Sequence, residues 1–169
     1  MRQVNGGRVV VGIEDSLTGL RALRVAVAEA RRRGAQLHAL RSWTLPSSGA
    51  GATGSWYDEL ERAASAEIIV AFDKTMGGVP RDVEVVTRTV LGRAGKELVR
   101  YADRDDDTLV VGAQDGGRLR RLLRRSVSRY CVGHARCPVL VVPPDTFARQ
   151  ARREGMDRAI RRDLSTLNG

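Results

Sequence analysis

Between Gly112 and Tyr130 the chain reads GAQDGGRLRRLLRRSVSRY. The segment starts like a glycine loop for phosphate, where missing side chains permit φ > 0 and let backbone N–H groups reach phosphate oxygens. Asp115 and Arg125 interrupt that use. A carboxylate at Asp115 repels a polyphosphate, although Asp tolerates left-handed backbone better than most residues, and Gly116 and Gly117 can shift the loop. The Arg125 side chain takes up phosphate space unless it points outward. Ser126 is suited to N-cap the last helix, leaving the N–H groups of Val127 and Ser128 open to an anion. Arg124, Arg125 and Arg129 crowd that helix start, where a cation in the first turn is disfavoured by roughly 0.3–1 kcal/mol. An anion relieves this, and Asp115 can be that anion. Paired with Arg125, it fills the phosphate cradle with the protein's own ion pair. The plainer alternative leaves both side chains in solvent.

Other chemistry-bearing residues are sparser. Glu14 and Asp15 form an acid pair with no His or Lys beside them in sequence, which favours a turn and cap role. Asp105 to Asp107 read as a solvated charged turn rather than a metal site. Cys131 and Cys137 are too few for a disulfide framework and form no metal-ligand cluster. Without a visible base partner, Cys131 reads as a small buried residue. His38 and His134 lie far apart in sequence.

These residues must be positioned by alternating strands and helices. Arg8 to Ile13 (RVVVGI) is a β-branched run without alternation, a strand buried on both faces. Ser16 can cap a helix carrying Leu20, Leu23, Val27 and Ala30 at three- and four-residue spacing, ended by Gly34. Gln36 to Trp43 is a second strand. Pro46 to Gly54 is a loop, and a long helix follows from about Ser55 to Met76. Strands are expected at Val83 to Val90, Thr108 to Val111 and Pro138 to Val142, with a helix from Gly92 to Tyr101. The β-α-β order implies parallel pairing through right-handed crossovers. Ligands then bind at the carboxyl ends of the strands, where strand order switches, so Ile13–Glu14 and Gly112 should border one crevice.

With 169 residues, the chain suits one domain, expected at 8–144, with a basic, partly helical or disordered tail at 145–169. Apolar residues are 42% but aromatics only 4%, so the core must be aliphatic. Of the net charge of +9, the stretch from Gly112 to Pro144 carries +6, seven arginines against Asp115 alone. Such a region attracts phosphates, nucleic acid or an acidic partner. Leu119, Leu122, Leu123, Val127 and Tyr130 fall on one helical face, with arginines around the rest. A solvated basic face explains this more simply than a nucleic-acid reader, since no recognition-helix motif or stacking aromatics support sequence readout. Nucleic acid and membrane are not expected partners. No run of about 18 apolar residues and no signal-peptide h-region occurs, so a cytoplasmic protein is expected.

Three stretches, RVVVGIEDS with ALRVAVAEARRRGAQLHAL, LVVGAQDGG, and SVSRYCVGHARCPVLVV, resemble the universal stress protein family over about Arg8 to Pro143. The resemblance implies an α/β fold, a three-layer Rossmann-like sandwich. It also implies a five-stranded parallel sheet in the order 3-2-1-4-5 and a homodimer formed through the last strand, Pro138 to Val142. In many members it implies ATP as ligand, with Mg. The family signature of Gly, two residues, Gly, nine residues, then Gly and a hydroxyl residue keeps its spacing here as Gly112, Asp115, Arg125 and Ser126. Only the first glycine and the hydroxyl remain. The acid near base and sugar, usually Asp, is Glu14, and Trp43 takes a place where it can flank an adenine or simply pack. The implied nucleotide-binding set is therefore Ile13, Glu14, Trp43, Gly112, Gln114, Asp115, Arg125, Ser126, Val127 and Ser128. No catalytic set is visible. The expectation is a regulatory binding domain with an impaired nucleotide site. The alternatives are a working binder of ATP, AMP or a cyclic nucleotide, at most a slow ATPase, or a binder of nucleic acid or acidic partners.

Overall fold

The computed structural model describes residues 7–45, 54–113 and 126–144. Among the described residues, nine elements follow one another. These are β1 (Arg8–Gly12), α1 (Leu17–Arg33), β2 (Gln36–Trp43), α2 (Gly54–Met76), β3 (Val85–Leu91), α3 (Ala94–Tyr101), β4 (Thr108–Gly112), α4 (Val127–His134) and β5 (Val139–Val142). All strand pairs are parallel, in the order β3-β2-β1-β4-β5. Gln114, Asp115, Arg125 and the expected tail at 145–169 lie outside the described residues.

Side-chain alternation along the strands makes three layers. Val9, Val11, Leu37 and Ala39 point to one side, where Leu23, Ala26 and Val27 of α1 and Ile68 and Phe72 of α2 close over them. Val10, Leu40, Leu109 and Val111 point to the other, covered by Leu98 of α3 and Cys131 of α4. Burying each large aliphatic side chain contributes about 1.5–3 kcal/mol, which lets a core almost without aromatics hold together. β1 is buried on both faces because its neighbours, β2 and β4, and both helical layers leave it no exposed side.

Helix α1 begins as its sequence dictates. Ser16 Oγ accepts from the Gly19 N–H at 3.0 Å, and Gly34 closes the helix in left-handed conformation, φ 61°. Gly19 is required there, since a Cβ would stand 2.3 Å from the Glu14 carbonyl oxygen. Several boundaries differ from expectation by one residue, and the starts of β3 and α3 by two. β3 starts at Val85 and runs to Leu91, because Val83 is buried in the core ahead of the ladder. α3 starts at Ala94, after Gly92 turns at φ 146°.

The reading of Asp105 to Asp107 as a solvated turn needs correction at Asp107, whose side chain is fully buried. Arg8 donates to both its oxygens, from Nε at 2.8 Å and Nη2 at 2.6 Å, and Nη2 also reaches Asp103 at 2.9 Å. A buried carboxylate is tolerated only with such a partner. The pairing raises the Arg8 pKa, chiefly through the hydrogen bond to Asp107.

Candidate nucleotide crevice at the β1 and β4 ends

β1 lies between β2 and β4, so the chain leaves its carboxyl end in one direction and returns beside it from the other. Ile13 and Gly112 therefore stand at the same switch point. Ile13 is buried, and its N–H donates to the Leu40 carbonyl at 2.8 Å. Its own carbonyl accepts from Arg41 Nη1 at 3.1 Å. Arg41 also pairs through Nε with Glu67 of α2, so one guanidinium ties the end of β1 to α2. Glu14 is exposed on the rim. Asp15 is held by Lys74 Nζ at 2.8 and 2.9 Å, which supports a turn role over an acid pair in chemistry.

On the opposite rim, the Ala113 N–H donates to the Val142 carbonyl at 2.7 Å and fixes where the chain leaves β4. Gly112 lies against the first turn of α1. A Cβ there would meet Thr18 Cγ2 at 3.1 Å and the Thr18 carbonyl oxygen at 3.2 Å, so this glycine answers to packing as well as to any ligand. Ser126, Val127 and Ser128 form the start of α4. Ser126 occupies the N-cap, but its hydroxyl pairs with the Ser128 hydroxyl at 2.7 Å and makes no cap bond to the backbone. The intrahelical ladder starts with the Tyr130 N–H donating to the Ser126 carbonyl at 3.0 Å. The first-turn N–H groups are thus left to solvent or an anion. Arg129 is exposed in this turn.

Trp43 lies three residues past Leu40, the register partner of Gly12, and overhangs the crest by about 10 Å at the strand rise. Its ring meets Tyr57 edge-on, with centroids 6.3 Å apart and planes at 72°. Trp43 and Tyr57 together make an aromatic shelf at the end of β2.

The structure thus brings Ile13, Glu14, Gly112 and the α4 start to one end of the sheet, with Trp43 above them. Arg41, Glu67 and Lys74 were not expected near the site. One signal was available for Arg41, a charge at the inward parity of Leu37 and Ala39. The pairing of Lys74 with Asp15, 59 residues apart, left no local trace.

The thiols lie elsewhere. Cys131 is pushed up to about 11 by burial and by its neighbour Cys137, and burial also raises Cys137. Neither is a thiolate near neutral pH. Among the described residues no group of three His, Cys, Asp or Glu is arranged to hold a metal ion, and no helix is long and apolar enough to cross a membrane.

Residues 6–143 match the Universal stress protein family. Universal stress protein MJ0531 of Methanocaldococcus jannaschii is 28% identical over 139 residues, 80% of this chain and 81% of that protein. Among solved structures, that of the hypothetical protein MJ0577 superposes with a TM-score of 0.64 at 18% identity, over 83% of this chain and 98% of that one. A universal stress protein in complex with cAMP superposes at 0.59 with 24% identity, over 82% of this chain and 98% of that one. At these identities the structural matches speak for the fold alone.

Proposed function

The chain belongs to the universal stress protein family, and from that premise we propose a cytoplasmic regulatory domain, not an enzyme, whose triphosphate seat is impaired. It acts through dimerisation and partner contacts. The observation that carries this reading is the residue set joining the two rims of the crevice. Of the three glycines in the family's phosphate pattern only Gly112 remains, and it is crowded by Thr18. At the other two glycine positions of the pattern the sequence has Asp115, a carboxylate, and Arg125, a bulky cation. An ion pair between them would satisfy the cation-crowded start of α4 without a ligand.

Dimerisation has its own support. β5 is an edge strand, hydrogen-bonded to β4 alone. Leu140 is 39% exposed on it. An exposed apolar edge strand is a liability that a second copy removes.

A second reading, retained binding of an adenine nucleotide, is favoured by the open first-turn N–H groups of α4. The relative with cAMP bound makes a single-phosphate ligand the natural form of that reading. With Mg, an ATP in this seat would draw on Glu14, Ser126, Val127 and Ser128.

Restoring the glycines decides between them. In equilibrium dialysis against labelled ATP with Mg, the Asp115→Gly, Arg125→Gly double variant should bind at least ten-fold more tightly than the parent chain. Equal or weaker binding by the variant would overturn the impaired-seat reading, and weaker binding would mean that the parent seat works with Arg125 gripping phosphate.

A further inference from the structure

The two helical layers treat their cations differently. Every arginine of α1 has an acceptor: Arg21 the Pro143 carbonyl, Arg24 the Thr75 carbonyl, Arg31 Asp82, Arg32 Glu29, and Arg33 the Asp106 carbonyl. On α2, Arg62 and Lys74 are likewise engaged. Across the sheet the pattern reverses. Arg93, Lys96, Arg104, Arg129 and Arg136 are exposed, and none of their side chains has an acceptor among the described residues. Arg88 joins them. It is in register with Leu40, whose side chain faces the α3 and α4 layer, and it is exposed on edge strand β3.

Their placement makes these residues a surface. Arg93 is the N-cap of α3 and Lys96 lies in its first turn, while Arg129 lies in the first turn of α4 and Arg136 two residues past its end, so these cations flank the ends of the two helices. α3 and α4 are in direct contact, since a Cβ on Gly95 would come 3.0 Å from the Tyr130 ring. The carboxylates on this side are engaged or peripheral. Glu97 sits 3.8 Å from Arg100, Asp103 is held by Arg8, and Asp105 and Asp106 belong to the turn before β4.

We infer that the outer face of α3 and α4, extended by Arg88, binds the phosphate backbone of duplex nucleic acid without reading its sequence. Free guanidinium groups on a rigid, sheet-backed surface suit phosphates, and no internal ion pair must break to engage them. An acidic protein would need an apolar centre for affinity, yet Val132 is the one large apolar side chain strongly exposed on α3 or α4. Base stacking is not offered either, because Tyr130 is taken up by Gly95 and by His134, stacked at 4.0 Å. Nucleic acid was not an expected partner because recognition-helix motifs and stacking aromatics are absent, but backbone binding requires neither.

Fluorescence anisotropy of the full chain on a random duplex of about 20 base pairs tests this across a salt series. Contact with about five phosphates predicts a slope near −4.5 in log K against log salt, and an affinity loss of about 500-fold between 50 and 200 mM. Replacing Arg93, Lys96, Arg129 and Arg136 with Gln should flatten the slope by about three to four, with the melting curve intact, whereas replacing the three arginines with Lys and leaving Lys96 in place should retain it. Replacing Arg21, Arg24, Arg31 and Arg32 with Gln removes the same charge and should change the slope by less than about one. Equal losses in both sets, absence of DNA binding, or tighter binding of polyglutamate or of phosphatidylserine vesicles than of DNA would each overturn the assignment.

Discussion

Asp107 ends a run of three carboxylates, yet it alone is buried, and Arg8 is the reason. Removing one member of a buried, doubly bonded pair strands the other. Asp107→Ala should therefore cost about 3–5 kcal/mol in urea unfolding, whereas Asp105→Ala, in the exposed part of the same turn, should stay within about 0.5 kcal/mol. His38 sets a second test. Gln36 donates to Glu84 at 2.6 Å, which turns its amide oxygen toward His38 Nε2 at 3.2 Å. His38 Nε2 thus carries the proton, and Nδ1 accepts from the Tyr101 hydroxyl at 2.8 Å. This arrangement suits the neutral ring. Burial first, and then the Arg8 charge, hold its pKa below the ordinary 6.5. The unfolded chain then binds the extra proton, so stability present above pH 6.5 is lost as pH falls toward the folded value. The slope should approach at most one proton, about 1.4 kcal/mol per pH unit. Melting curves from pH 7.5 downward should show this fall, and His38→Gln should flatten it at its onset near pH 6.5.

At the scale of elements, periodicity carried most of the fold. The β-branched run of β1, the three-and-four spacing of α1 and its Ser16 and Gly34 caps are local properties of the chain, and each holds in the structure. Gly19→Ala should cost more than about 1 kcal/mol by unfolding, because the added methyl collides with the Glu14 carbonyl in the capped turn. What local reading could not supply were contacts decided by tertiary packing. The start of β3 moved because the core claims Val83. Ser126 lost its cap bond because Ser128, two residues on, competes for its hydroxyl. Arg41 reached Ile13 and Glu67 because the sheet set β1 beside β2 and α2 closed over them. The edge strand β5 is legible in both ways, as sequence and as exposed Leu140. If β5 forms the dimer, Leu140→Lys should shift the mass measured by light scattering from dimer to monomer at micromolar concentration, and an unchanged mass would place any dimer elsewhere.

For the whole molecule, family membership fixes the fold and leaves the crevice to be judged on its own residues. Ile13, Gly112 and the start of α4 lie at the carboxyl end of the parallel sheet. In the sequence, Asp115 and Arg125 stand where the family's phosphate pattern has two glycines, which is the proposed impairment. Heating the unmodified chain with and without 1 mM Mg-ATP tests that account most directly. A micromolar site would add about 4 kcal/mol of stability at this concentration, which for a chain of this size raises Tm by roughly 8–16 °C. The account predicts a Tm unchanged within about 1 °C; a rise of the larger size would contradict it.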